Sequence, residues 1–182
     1  MKHRKGVPVL ALGLILAPPV LGFFSPFRSP IAPKQHKLTC HVYVSIPSLS
    51  LDQYIAASTD IVRATVVGRR AVFPDDGIAY TEVDLTVNWA LKGTAQGLLT
   101  IHIPGAEDDT RITTADHCPC LTIGDDVFVA LALDGESGIL GVMGLDQGVF
   151  HVVTDSDRQE HVVGVDTNNS TPTDFIARLS GQ

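Results

Sequence analysis

His117-Cys118-Pro119-Cys120 places two of the chain's three cysteines beside a histidine. A thiolate is a nucleophile and a soft metal ligand, and imidazole binds many of the same metals. The stretch therefore admits a metal site, a thiol-redox site or one half of a disulfide staple. Zinc sites use C-x2–4-C or H-x3–5-H spacings, and this stretch has neither. Cu(I) tolerates soft ligands this close, but methionine occurs only at Met1 and Met143. His117, Cys118 and Cys120 are thus weak metal candidates, with Cys40, His41 and His102 as distant additions. A bond between Cys118 and Cys120 would close a small ring across Pro119, and a strained disulfide is a redox-active one. The odd count leaves one thiol over in any scheme of internal pairs.

Other catalytic signatures are missing. Gly135-Glu136-Ser137-Gly138 has Ile139 where a nucleophile elbow needs its last glycine. No zinc-protease helix motif, P-loop or dinucleotide fingerprint occurs, and nothing calls for a cofactor. The acidic groups Glu107-Asp108-Asp109, Asp125-Asp126 and Asp155/Asp157 lack the ligand offsets of a calcium loop and read as solvated turn charges.

The elements that must carry these residues alternate with period two. Val62, Ala64 and Val66 share one face of a first strand, and Thr81, Val83, Leu85, Val87 and Trp89 one face of a second. Pro74 to Gly77 makes the turn between them. Shorter strands follow at "LLTIHI", "VFVALAL", "ILGVMGL", "VFHVV" and "HVVGV", with a turn about every ten residues, a spacing that favours a barrel or sandwich. Residues 104–120 interrupt them as a long polar loop. Ser48 or Ser50 can cap a short helix with Leu51, Tyr54 and Ile55 on its apolar face. Pro172, Phe175, Ile176 and Leu179 predict a short C-terminal helix.

The N-terminus addresses the chain. "MKHRK" is basic, and "GVPVLALGLILAPPVLGFF" is an apolar run of the kind that follows such a start. These predict a signal peptide over residues 1–22, with an uncleaved anchor as the alternative and the one route to a membrane. Residues 23–38 read as an extended tether, and residues 39–182 as one β-barrel domain. The expected location is secreted, periplasmic or cell envelope, where disulfides persist. The formal charge of −7 excludes a phosphate-binding surface and hence a nucleic-acid partner.

"STDIVRATVVGRR", "YTEVDLTVNWALKG", "LLTIHIPG", "GDDVFVALAL" and "GLDQGVFHVV" follow one another in an order that resembles exported bacterial proteins of unknown function. More distantly, the chain resembles the N-terminal domain of tissue inhibitors of metalloproteinases and the netrin module. The likeness rests on Asp60-Ile61-Val62 opening a long strand and Leu91-Lys92-Gly93 ending the next. It spans about Thr39 to Val153. It implies a mainly β, OB-like antiparallel barrel with a short helix before the first long strand and a short C-terminal helix. It also implies that Cys40 pairs with Cys118 or Cys120. Inhibition does not carry over, because that family uses a free N-terminal C-x-C, and Cys40 is internal with Val42 at the second following position.

The resulting expectation is a secreted, non-catalytic binding module for a protein or other extracellular ligand. Contacts would come from an exposed edge or from the loop of Glu107, Asp108, Asp109 and Arg111. A metal or thiol-redox protein centred on Cys118 and Cys120, and a protease-inhibitor-like protein, are the alternatives.

Overall fold

Alternating β-branched residues build a long hairpin first. In the computed structural model, which describes residues 37–46, 49–75, 77–135 and 138–180, β2 (Asp60–Val72) and β3 (Tyr80–Lys92) pair antiparallel. The predicted signal peptide and residues 23–36 of the predicted tether lie outside the described residues. Leu38 already opens β1 (Leu38–Val42). No helix among the described residues is long and apolar enough to cross a membrane.

The hairpin grows on both sides. β4 (Leu98–Pro104) pairs with β3, and β7 (Asp126–Leu133) pairs with the other edge of β2. β8 (Leu140–Val142) closes the ring, antiparallel to β7 and parallel to β4 at His102↔Gly141. The order β7–β2–β3–β4–β8 is the OB-like barrel expected. β9 (Val149–Thr154) and β10 (Glu160–Val163) extend the sheet beyond β7. Inside the barrel, Val62, Val83, Leu85, Ile101, Val127 and Val129 have no exposed surface.

A second core lies outside the barrel wall. Phe128 and Ala130 of β7 point away from the interior and meet α1 (Leu51–Ala57) and α2 (Pro172–Ser180). Phe175 of α2 sits 5.1 Å from Phe128 and 5.0 Å from Phe150, ring centre to ring centre. The helix α1 starts where Ser50 and Gln53 bond reciprocally, side chain to backbone, in a capping box. Its buried residues are Leu51, Tyr54 and Ile55, as the sequence predicts. At α2 the Thr171 hydroxyl accepts from the Asp174 N–H at 3.2 Å and so satisfies one of the helix's orphan donors.

Lys92, Asp60 and Gly93 form a clasp in which Lys92 ties α1 to the hairpin and Asp60 and Gly93 fix the turn that follows it. The Lys92 ammonium donates to the carbonyls of Ile55 (2.6 Å), Ser58 (2.7 Å) and Ala56 (3.3 Å), where α1 leaves carbonyls unpaired. Asp60 Oδ1 accepts from the Thr94 and Ala95 N–H groups at 2.9 and 3.0 Å and holds the next turn. Gly93 lies between them at φ +80°, where a Cβ would come within 2.0 Å of Asp60 Oδ1.

Two expectations fail here. Alternation puts Trp89 with Val87, but the register runs Arg63↔Trp89 and Ala64↔Val87, leaving Asn88 as an extra residue. That bulge turns Trp89 to the outer face, 39% exposed and edge-on to Phe128. The long polar loop at 104–120 is not structureless either. Its β-branched run forms β6 (Arg111–Ala115), which pairs with β5 (Ala106–Glu107) and runs parallel to β1, giving a second sheet ordered β1-β6-β5.

Gly93→Ala forces a side chain onto a left-handed backbone and into a carboxylate. It is expected to lower stability by about 1–3 kcal/mol. Urea unfolding that finds the variant as stable as the parent would refute the clasp.

Candidate functional site

His117 takes φ +55°, the left-handed conformation, just after β6. Its carbonyl accepts from the Asp146 N–H at 2.9 Å, and its Nδ1 lies 3.5 Å from Asp146 Oδ2. The turn aims Cys118 inward, where it packs against the barrel core, and leaves Cys120 exposed. The Cys118 thiol donates to the Pro104 carbonyl at 3.0 Å. Burial pushes its pKa up, the neighbouring Cys120 and Asp146 add to the rise, and Arg69 opposes it. Cys118 is therefore a protonated thiol at neutral pH, poorly suited to nucleophilic attack.

All three cysteines are free, and the expected bond from Cys40 to Cys118 or Cys120 is not formed in this structure. Cys40 sits exposed on β1, opposite Thr113 of β6. Among the described residues no three His, Cys, Asp or Glu side chains converge as metal ligands would, so His117, Cys118 and Cys120 do not form such a cluster.

The expected interaction loop spends its charges locally. Asp108 accepts from the backbone N–H groups of Thr110 (2.8 Å) and Arg111 (2.7 Å) and pairs with the Arg111 guanidinium at 2.9 Å. These bonds, the Thr110 N–H foremost, hold the Asp108 carboxyl well below the usual carboxylate range. Arg111 also lies 3.9 Å over the Phe73 ring. Glu107 pairs with Lys37 at 2.5 Å. Asp109 stays exposed at the tip.

An apolar groove lies elsewhere, on the outer face of β3 and β4. Tyr80 and His102 stack there, with ring centres 4.4 Å apart and planes 17° from parallel. Val42 and Val44 from the β1 side, with Ile78, Pro104 and Ile139, complete a shallow concavity of about 260 Å³. Register explains the stack. Glu82 faces His102 and Tyr80 faces Pro104, so the two rings are diagonal neighbours. Glu82 anchors the floor, ion-paired to Arg70 and 3.7 Å from His102 Nε2. Both rings fall on the wet face of their alternations, but nothing in the sequence says that β3 and β4 are neighbours in this register.

A third cluster was also illegible. His41 Nδ1 lies 2.6 Å from the Thr114 hydroxyl and its Nε2 lies 3.0 Å from Asp116 Oδ1. Carboxylate, imidazole and hydroxyl thus connect as in a nucleophile triad. His41 and Asp116 are nonetheless 40% and 39% exposed, and His41 is directly opposite Thr114 in the β1–β6 pairing. The chain of bonds acts as a cross-strand tie, wet on an edge strand, where a triad works best dry.

Compared with family models and with curated proteins, the chain has no match.

Iodoacetamide applied to the folded chain is expected to label Cys40 and Cys120 quickly and Cys118 slowly, read by peptide mass spectrometry. Equal rates at all three would contradict the burial of Cys118. A second expectation concerns His161, whose Nε2 lies 2.8 Å from Asp155 Oδ2. Asp155 raises the His161 pKa above its ordinary 6.5, so the stabilisation is complete below that value and is lost as pH rises through the folded one. The Asp155 carboxyl is lowered, chiefly by the Gln159 N–H, and its share is lost as pH falls through its folded value. Between pH 6 and 8 the parent should therefore lose more stability than His161→Gln; parallel losses in urea unfolding would refute the pairing.

Proposed function

We propose that the chain is an exported, non-catalytic binding module that holds an apolar or aromatic side chain of a protein partner in the Tyr80–His102 groove. The stacked pair carries this reading. Half-buried flat rings bordered by Val42, Val44, Ile78 and Pro104 offer contact area at little conformational cost. In OB barrels the face of the second and third strands is the usual ligand platform, and here those strands are β3 and β4. The basic and apolar start of the chain supports export. The protonated, engaged thiol of Cys118 weighs against the redox alternative. The wet setting of His41 weighs against hydrolysis.

Peptides selected from a displayed random library on the immobilised chain test the reading. The expected winners carry an aromatic or large aliphatic anchor and lose at least tenfold in affinity on Tyr80→Ala or His102→Ala, with circular dichroism unchanged. Winners that bind both variants as well as the parent would overturn it.

A further inference from the structure

Among the described residues, β1 is an unpaired sheet edge. It ends the β1-β6-β5 sheet, and Leu38, Thr39, Cys40 and His41 are all exposed. The Leu38 N–H donates to the Thr110 carbonyl, and the Val42 carbonyl accepts from the Asp116 N–H. Even-numbered residues of β1 therefore bond to β6. The N–H and C=O groups of Thr39 and His41 point the other way, to an edge that no described strand occupies. Sheet edges are commonly guarded by charge, proline or a bulge, and Leu38-Thr39-Cys40-His41-Val42 has no proline, no bulge, and no lysine or carboxylate.

We infer that this edge pairs antiparallel with the same edge of a second copy of the chain, about a two-fold axis through Cys40. The register argues for self-pairing. With Cys40 on the axis, Thr39 of each copy lies opposite His41 of the other, and these are the residues whose backbone groups are free. Leu38, 76% exposed, lies opposite Val42, so each copy covers the other's apolar side chain. Leu38, Cys40 and Val42 share one face of the strand and make a continuous apolar stripe across the pair. The strand carries no carboxylate or lysine, so an acidic chain meets its copy here without like-charge repulsion.

The same register brings the two Cys40 residues together. They form a non-hydrogen-bonded pair, whose Cα atoms approach to about 4.5 Å. That lies within the ~4.4–6.8 Å range of disulfides. Two Cys40 thiols and one small-molecule disulfide then exchange to give one Cys40–Cys40 bond and two small thiols, with the released protons carried on the latter. The edge pairing precedes the bond and does not need it. The inference rests on the open backbone edge of β1 and not on the Tyr80–His102 stack, although Val42 borders both.

Sedimentation velocity of the full chain over a concentration series, under reducing conditions, reads the pairing. Oxidation with glutathione disulfide followed by peptide mapping reads the register. A reversible dimer is expected that persists in Cys40→Ser, dissociates at least tenfold more readily in Leu38→Glu, and yields Cys40–Cys40 linked peptides on oxidation. Leu38 is exposed in the single chain, so its replacement leaves the monomer fold intact, checked by circular dichroism. A monomer at every concentration, an unchanged dimer in Leu38→Glu, or Cys40 linked instead to Cys118 or Cys120 would overturn the inference.

Discussion

From Val127 to Leu131 β7 has no wet face, and the rest of the molecule is arranged around that fact. Val127, Val129 and Leu131 fill the barrel, while Phe128 and Ala130 fill the space under the two helices. A strand buried on both sides must also have both backbone edges paired. β2 takes one edge; β9 takes the first part of the other and β8 the second. The handover occurs near Ala130, whose carbonyl accepts from the Met143 N–H at 2.9 Å. Closure of the barrel and attachment of the β9–β10 extension are thus two uses of one strand edge.

The short motifs around Asp60, Leu91-Lys92-Gly93 and "GLDQG" are joints of this scaffold. Lys92 ties α1 to the hairpin, and Asp60 with Gly93 fixes the turn after β3. In "GLDQG" the Gln147 side chain accepts from the Tyr54 hydroxyl at 2.7 Å, so the same helix is also held to the turn after β8. Gly144 allows that approach, because a Cβ there would meet the Tyr54 ring at 2.2 Å. Motifs of this kind report a fold. They say little about a ligand, because none of these residues lines the Tyr80–His102 groove.

Much of the framework is readable in the sequence because it obeys local rules. The capping box at Ser50, the buried stripe of α1, the alternation of Val62, Ala64 and Val66 and the start of α2 each depend on neighbours within a turn or a strand. Trp89 breaks from its alternation through one extra residue in β3, which no pattern marks. The small sheet was hidden because β1 and β6 are far apart in the chain and each is too short to signal a partner. The groove suffers the same blindness: Tyr80 and His102 meet only through the β3–β4 register. The cysteines attract attention by their rarity, yet the turn at His117 decides that Cys118 is half-buried and Cys120 lies in solvent.

Stability should therefore be graded, highest along β7 and lowest in the sheet of β1, β5 and β6, which is largely exposed. Amide hydrogen exchange resolved by residue measures this gradient most directly. Amides of Val127 to Leu131 are expected to exchange only with global unfolding, while those of β1 and β6 open at a smaller free energy. Exchange of the β7 amides ahead of β1 and β6 would contradict a fold organised around that strand.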